Sequence, residues 1–236
     1  MGLDHEAPLE TPLGKIERRR AVDDVHQAIR EAILARRFPP GMRLNVEELS
    51  SQLGVSLTPV RSAIQMLSAE GLVDVHSRSG TFVTTLTRRD LEETFDIRCS
   101  LECLAAEKGA DRLTDEQIER ARELLTILAK PVRNDNQQKQ HEQANTELHD
   151  IIIQSSGNQR LADMYESLRA HIAMGRLHRL DGSWPSRLPQ EQQEHEEIVA
   201  AMEKRNQQAL IKALRNHILR AKDALLAHLD PGSEHP

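Results

Sequence analysis

The stretch that decides the fold reads VEELSSQLGV at residues 46–55 and SLTPVRSAIQML at residues 56–67. Apolar residues recur at helical spacing in both halves, which predicts two short helices. Gly54 suits the left-handed position that ends a helix, and Thr58-Pro59 supply a capping hydroxyl and a favourable first-turn residue for the next one. Two short helices joined through a glycine-containing turn predict a helix-turn-helix.

The segment that follows changes its apolar period from 3.6 to 2. Leu72, Val73 and Val75 precede the turn sequence SRSG at residues 77–80, and Phe82 and Val83 follow it between threonines. This pattern predicts a β-hairpin with Gly80 in the turn. A hairpin behind a helix-turn-helix is a wing, and its tip offers His76 and Arg78 to a minor groove or a phosphate.

The outward face of the second helix carries hydrogen-bonding side chains. They are Thr58, Arg61, Ser62 and Gln65, and their donors and acceptors match base edges and phosphates in a DNA groove. The predicted DNA contacts are therefore these four residues with His76, Arg78 and Gly80 of the wing. The alternative is a small helical subdomain with a hairpin that binds no partner.

The composition favours packed helices in two domains. The chain has 236 residues, of which 38% are hydrophobic, 29% charged and only 2% aromatic. Residues 15–89 contain 12 Lys and Arg against 8 Asp and Glu, a net charge of +4, whereas residues 90–236 contain 19 against 26, a net charge of −7. A basic head on an acidic body is expected when only one domain meets DNA, although chance clustering gives the same pattern.

The remaining general features point to the cytoplasm. Cys99 and Cys103 lie at i,i+4 among apolar residues, so burial as small apolar side chains is expected, and a disulfide within one helical turn would be strained. No signal peptide and no apolar run long enough to span a bilayer is visible, so no membrane partner is expected.

The predicted fold is mainly α: a winged helix-turn-helix with a small β-hairpin wing, then an antiparallel all-α bundle of about six helices. The predicted divisions are a flexible arm at 1–14, the DNA-binding domain at 15–86, the effector-binding and dimerisation domain at 87–229 and a tail at 230–236. Thr87 and Asp90 form the outline of a capping box where the bundle begins. The bundle helices are predicted at 88–109, 115–129, 136–155, 159–180, 189–204 and 207–229.

Three of the eleven histidines stand apart from the others, which have simple explanations as terminal or polar-face residues. His149 lies one turn after Asn145, and His195 and His217 fall on two consecutive helices where they can reach similar heights. Three imidazoles inside a bundle suit Zn²⁺, Ni²⁺ or a similar ion. From spacing alone, satisfied or exposed histidines are the favoured interpretation.

The head resembles the GntR family of bacterial transcription regulators. The resemblance rests on the pattern R-L-x(4)-L-x(3)-L-G-V-S-x-T-P-V-R-x-A-I-x-x-L-x(2)-E-G-L-V-x(6)-G-x-F-V, within a match from about Val22 to Thr84. It implies that Arg43 lies near the DNA backbone. Leu57 stands where the family usually has an arginine at the start of the recognition helix, so Arg61 is expected to be the main reader of bases.

Residues 90–229 resemble the all-helical FCD effector domain of the FadR subfamily. The likeness lies in D-I-R-x(3)-E, N-x-x-L-H-x(7)-G-N, E-H-x-x-I-x-x-A and N-H-I. In metal-binding members the pattern D-x-x-F-H and two later histidines hold the ion, which implies Asn145, His149, His195 and His217 as ligands here, with asparagine in place of the usual aspartate. Arg98 and Arg176 are expected to bind an effector carboxylate, unless Arg98 pairs with Glu102.

The leading interpretation is a homodimeric regulator, a repressor in the commoner family mode, that binds a palindromic operator in double-stranded DNA. A small organic or sugar acid would bind at a divalent metal, Zn or Ni, and change the affinity for DNA. Two alternatives remain open: a metal-dependent hydrolase or lyase with a three-histidine site, and a DNA-binding dimer without a working effector site. No catalytic residue is predicted, because no general base is identifiable.

Overall fold

The computed structural model describes residues 19–177 and 184–227, including their side chains except at residues 19, 20, 135, 176, 177 and 184–186. The predicted arm at 1–14 and tail at 230–236 therefore lie outside the described residues. Helices in the described ranges are α1 (Arg19–Leu34), α2 (Val46–Leu53), α3 (Leu57–Ala69), α4 (Arg88–Gly109), α5 (Asp115–Leu128), α6 (Asp135–Ser155), α7 (Gln159–Leu177), α8 (Trp184–Glu203) and α9 (Gln207–Leu226). The strands are β1 (Arg43–Leu44), β2 (Val73–His76) and β3 (Gly80–Val83).

The head consists of α1–α3 and the three strands. The predicted helix-turn-helix is confirmed, with Gly54 at the end of α2 in the left-handed conformation. The predicted start of α3 is wrong, because the helix begins at Leu57 and the preceding Ser56 makes no capping bond. Thr58 and Pro59 lie inside the first turn, where backbone N–H groups have no intrahelical partner and a proline removes no bond.

The wing is a three-stranded antiparallel sheet with the order β1-β3-β2. The predicted hairpin is present, and Val75 lies opposite Thr81 in it. The sequence pattern did not predict β1, whose two residues pair with β3 through Arg43 opposite Phe82. This extra strand ties the segment before α2 to the wing.

The bundle is built around α4, which packs against α6, α7 and α9. Its start is the predicted capping box: the Thr87 hydroxyl accepts from Asp90 N–H, and the Asp90 carboxylate accepts from Thr87 N–H at 2.8 Å. The predicted start of the fifth bundle helix at Pro189 is wrong, because α8 already begins at Trp184 and contains Pro189. Pro185 falls in the first turn, so it does not delay the helix, and Pro189 costs one backbone bond.

The core of the bundle is aliphatic, as the low aromatic content predicts. Leu124, Ile152 and Ile198 are almost fully buried together with one aromatic residue, Phe95, and the two free cysteines are buried among such residues. Burial raises the pKa of the Cys103 thiol to about 12, so it is a neutral packing group. None of the described helices is long and apolar enough to cross a membrane.

A close crossing of α4 and α6 at Gly109 gives the first testable prediction. A Cβ at this position would lie 2.6 Å from the Ser155 carbonyl carbon and 2.7 Å from Ser156 N. Because backbone atoms cannot move aside cheaply, we expect Gly109→Ala to lower the free energy of unfolding by about 1–3 kcal/mol in urea titrations. Gly175→Ala is the matched control, since its Cβ would come closest to the flexible side-chain end of Leu91, at 2.7 Å; an equal loss in both variants would contradict the prediction.

The head and the bundle meet where α1 and the end of α3 face α7. Gly71, two residues after α3, lies against the imidazole of His171, and a Cβ at Gly71 would come within 2.5 Å of His171 Nε2. Glu70 is bonded to two residues of α1, His26 at 2.5 Å and Arg30 at 3.2 Å. The end of the recognition helix is therefore held from both sides.

Candidate DNA-binding surface and metal centre

The outer face of α3 presents the predicted DNA contacts together. Thr58, Arg61 and Gln65 are exposed and Ser62 is half-buried, while Val60 and Leu67 on the opposite face are fully buried. Arg61 and Gln65 are one turn apart, so their side chains share a face. Leu57, at the start of the helix, is 38% exposed and offers this surface an apolar group in place of a hydrogen-bond donor.

The wing brings a second group of predicted contacts to the surface. Arg78 at the hairpin tip is exposed, and His76 is exposed but packs against Phe82 with ring centroids 5.8 Å apart. Arg43 lies across the hairpin, and a Cβ at Gly80 would come within 3.0 Å of its Nε atom. Gly80 therefore leaves space for the Arg43 guanidinium, and its contact with DNA stays a prediction.

The three histidines singled out in the sequence converge inside the bundle from α6, α8 and α9. His149, His195 and His217 are 1%, 0% and 2% exposed. Their ring centroids are 5.2 Å apart for His149 and His217, 4.7 Å for His195 and His217, and 6.4 Å for His149 and His195. One ligand nitrogen from each ring lies within 4.8 Å of the other two.

His149 is bonded to a buried carboxylate from the neighbouring helix α4. Its Nδ1 lies 2.5 Å from Glu102 Oε2. The other oxygen of Glu102 accepts from Arg98 Nε at 2.8 Å and from the Tyr165 hydroxyl at 2.8 Å. Arg98 is thus held in the structural pair considered in the sequence, yet its Nη2 is buried and has no hydrogen-bond partner among the described residues.

His217 has a similar partner that sequence reasoning missed. Its Nδ1 lies 3.0 Å from Glu194 Oε2, and Arg220 bonds the other oxygen of the same carboxylate. Glu194 precedes His195 on α8, and neighbours in a helix point in different directions, so it reaches across to α9. Glu194 is therefore engaged with α9 and does not stand as a general base beside His195.

His195 differs from the other two, because its ring is bonded to an amide. His195 Nε2 lies 2.8 Å from Asn145 Oδ1, which is an acceptor, so this nitrogen carries the proton. Its Nδ1 is buried and has no hydrogen-bond partner among the described residues. Burial of such an atom costs free energy, which is typical of a site that accepts a further group.

The environment keeps two of the rings neutral. Burial lowers the pKa of His195 well below its usual value, and His217 lowers it further. Burial likewise lowers the pKa of His217, with a further contribution from His149. For Glu102, burial alone would raise the pKa, but His149 and Arg98 outweigh it and hold the pKa well below the usual range. Burial raises the pKa of Glu194, and Arg220 opposes that rise.

Two more buried polar groups lie on the same helices. His141 neighbours a run of Gln and Glu in the sequence and was not expected in the site, yet it is only 5% exposed, because it lies one turn before Asn145 on the inward face of α6. Glu191 is 6% exposed and one turn before His195, and its charge partly opposes the lowering of the pKa of that histidine by burial. The i,i+4 spacing of both residues was the signal that could have identified them.

The donor set fits a divalent transition metal. Neutral imidazoles are the usual nitrogen ligands of Zn²⁺ and Ni²⁺, and the orphaned Nδ1 of His195 shows that the pocket is not internally satisfied. Two ligand atoms with metal bonds of about 2.1 Å can be at most about 4.2 Å apart, so ligand nitrogens within 4.8 Å of one another need only small shifts. Asn145, 4% exposed, adds an amide oxygen beside them. The side chain of Arg176, a predicted effector contact, lies outside the described residues.

Comparison with known proteins assigns both parts of the chain. Residues 21–83 match the family described as bacterial regulatory proteins, gntR family, and residues 93–220 match the FCD domain family. An uncharacterized HTH-type transcriptional regulator of Bacillus subtilis, YdhC, is 28% identical over 89% of this chain and 88% of its own length. The HTH-type transcriptional repressor RspR of Escherichia coli is 24% identical over 82% of this chain and 84% of its own length.

The fold has solved counterparts. The E. coli protein McbR/YncC superimposes with a TM-score of 0.73 at 23% identity, covering 87% of this chain and 96% of that one. With relatives named as transcription regulators, the chain is a regulator and not an enzyme. The protein belongs to the GntR family of bacterial regulatory proteins, with the FCD domain of the FadR subfamily, and it is a DNA-binding transcriptional regulator.

Proposed function

We propose that this regulator is a metal-dependent repressor that releases its operator when a small organic or sugar acid binds in the bundle. The observation that carries the proposal is the buried cluster of His149, His195 and His217, with unpartnered donors or acceptors on Arg98 and His195 beside it. The named repressor function of RspR supports the sign of regulation. Action on operator DNA in a bacterium would place the protein in the cytoplasm.

The three imidazoles, with Asn145 as a fourth ligand, would hold Zn²⁺ or Ni²⁺. Such an ion would supply a Lewis-acidic centre for the carboxylate of an effector. None of these four ligands carries a negative charge. The ion would therefore attract an anion more strongly than it would in a site whose fourth ligand is aspartate.

The guanidinium of Arg98 is a second group that would attract the carboxylate of an effector. Its Nε is committed to Glu102, but its Nη2 is buried without a hydrogen-bond partner among the described residues. A guanidinium nitrogen in this state gains a charge-assisted hydrogen bond when a carboxylate arrives. Arg176 is proposed as a second carboxylate contact on the basis of the family resemblance alone.

The head would bind DNA as one half of a homodimer. Ile97 and Leu104, 47% and 39% exposed, are two turns apart on α4 and form an apolar stripe on its outer face. A dimer presents two recognition helices to successive major grooves, so the operator would be palindromic with half-sites about 10 bp apart. Selection of bound sequences from random DNA should enrich such palindromes, and failure to enrich any site would contradict the proposal.

Calorimetry tests the metal and the acid together. Candidate sugar and organic acids are titrated into the metal-loaded protein and into the same protein after complete removal of metal by a chelator. We expect binding only to the loaded form, and weaker binding to Asn145→Asp, because its carboxylate would compete with the effector for the ion. Identical affinity with and without metal would refute a metal-bound effector, and absence of metal from the purified and reloaded protein would favour a DNA-binding dimer without this site.

Arg61 gives a prediction for the DNA surface. If its guanidinium reads a base, Arg61→Ala should weaken operator binding by about 1–3 kcal/mol and relax the preference at one base position. Binding titrations against a set of single-base operator variants measure both effects. Arg160→Ala, an exposed arginine of α7 in the bundle, is the control for lost positive charge. A loss that is equal on every sequence would assign Arg61 to a phosphate instead.

A further inference from the structure

Two carboxylates contact the histidine cluster in the same way. Glu102 uses Oε2 for His149 Nδ1 at 2.5 Å and Oε1 for Arg98. Glu194 uses Oε2 for His217 Nδ1 at 3.0 Å and Oε1 for Arg220. In both groups one oxygen is held by an arginine and the other accepts from a histidine.

This arrangement decides which ring nitrogen can face an ion. A carboxylate whose other oxygen accepts from arginine has only acceptor capacity left for the imidazole, so the histidine must donate its Nδ1–H. Each ring of this pair, His149 and His217, can then offer a lone pair only at Nε2. The second partner of a metal-binding histidine sets the ring orientation and its tautomer in this manner.

We propose that Glu102 and Glu194 are the positioning residues of the metal centre, each selecting the Nε2-coordinating state of one histidine. This inference rests on the proposed metal function. It adds two residues that neither the comparisons nor the ligand pattern D-x-x-F-H assigns. Neither carboxylate would touch the ion.

His195 provides an internal contrast. Its Nε2 donates to Asn145 Oδ1 at 2.8 Å, so in the metal-free protein its proton is on the opposite nitrogen from that of its two neighbours. No carboxylate oxygen is seen within bonding distance of its Nδ1 in the described ranges. His195 is therefore distinguishable from the other two rings by its protonated nitrogen, without any metal present.

The anchoring of the two carboxylates is unequal. Glu102 is fully buried and has three partners, Arg98, Tyr165 and His149, on three different helices. Glu194 has the two partners on α9, and its side chain is 13% exposed. We therefore expect the loss of Glu102 to perturb folding as well as the orientation and tautomer of His149. The loss of Glu194 should change the orientation and tautomer of His217 with less disturbance of the core.

The first experiment measures the tautomers in the metal-free protein. Long-range proton–nitrogen correlation spectra of protein with labelled histidine, assigned with single histidine variants, should show protonated Nδ1 in His149 and His217 and protonated Nε2 in His195. In Glu194→Gln, the signals of His217 alone should change. Protonated Nε2 with bare Nδ1 in His149 or His217 would overturn the inference, whether or not the protein binds metal.

The second experiment measures affinity for Zn²⁺ and Ni²⁺ alone, by chelator competition with the full-length protein. Loss of a residue that orients a ligand typically weakens metal binding about 10–100-fold, and we expect this in Glu102→Gln and Glu194→Gln. Glu147→Gln, on α6 in an exposed pair with Arg120, is the matched control and should bind like the wild type. If Glu102→Gln does not fold, Glu194→Gln alone decides the question.

The outcomes distinguish a failure of the proposed metal function from a failure of the positioning role of Glu102 and Glu194. Absence of metal binding by the wild type would refute the proposed metal function, while the spectra would still test the positions of the protons. Tight binding by the wild type with unchanged affinity in both glutamine variants would refute the positioning role and leave the metal function standing.

Discussion

Glu102→Gln should lower the free energy of unfolding by about 3–5 kcal/mol, because it removes the charge that balances a buried arginine. Arg98 and Glu102 are 1% and 0% exposed and are 2.8 Å apart. A glutamine of the same shape keeps the packing but leaves the Arg98 guanidinium without its counter-ion. Denaturant titration of the metal-free protein measures the loss.

The same helix supplies a matched control. Arg89 and Glu93 also form an i,i+4 pair on α4, at 2.7 Å, but both side chains are exposed. Glu93→Gln should therefore cost no more than about 0.5 kcal/mol. Combining Arg98→Met with Glu102→Gln should recover part of the loss, because the unbalanced charge disappears; equal losses in Glu102→Gln and Glu93→Gln would contradict a buried-charge effect.

The difference in the free energy of unfolding between the wild type and Glu102→Gln should depend on pH, because the pKa of Glu102 is depressed. Burial acts to raise that pKa, and His149 and Arg98 outweigh it. A carboxyl group with a lowered folded pKa contributes stability that is present above the unfolded value of about 4.3 and is lost as the pH falls towards the folded pKa. The gap between wild type and Glu102→Gln should thus narrow progressively below about pH 4 and stay constant from pH 6 to 8.

Metal should stabilise the protein through the same three rings. If Zn²⁺ or Ni²⁺ binds only the folded state, a free concentration of about 1,000 times Kd adds about 4 kcal/mol to the free energy of unfolding. For a chain of this size, that corresponds to a rise in Tm of roughly 8–16 °C. Thermal scans with stepwise addition of metal, and after a chelator, measure the shift.

Two histidine variants make the measurement specific. His195→Ala removes a fully buried ring of the cluster and should abolish the shift. His76→Ala removes an exposed ring of the wing and should leave it unchanged. An equal shift in the wild type and His195→Ala would show that the ion binds elsewhere.

The local elements were predictable because short-range chemistry determines them. Gly54 ends α2 in the left-handed conformation, and the Thr87–Asp90 capping box begins α4, both as predicted. The change of apolar period after Gly71 likewise predicted the strands of the wing. The errors also have local causes. Proline is compatible with several positions of the first turn of a helix, so Pro59 did not mark the start of α3. Pro189, predicted as the start of α8, lies inside that helix.

The site was only half predictable. Spacing on one helix placed Asn145 and His149 on a common face of α6, and the predicted order of the helices placed His195 and His217 at similar heights. The family resemblance then implied all four as ligands. The partners of these rings come from other helices: Glu102 bonds a residue 47 positions away and Glu194 one 23 positions away. Such contacts depend on how helices are rotated against each other. Periodicity predicts which face of a helix points inward, but not which residues of a neighbouring helix that face contacts.

The contact between Gly71 and His171 joins the two domains through one side chain. A single added carbon at Gly71 would come within 2.5 Å of the imidazole, so this ring of α7 lies directly against the residues that follow α3. Tyr165, which donates to Glu102, lies six residues earlier on the same helix, roughly 9 Å along its axis. The same helix therefore contacts the carboxylate beside the histidine cluster at one residue and the end of the head's recognition helix at the other.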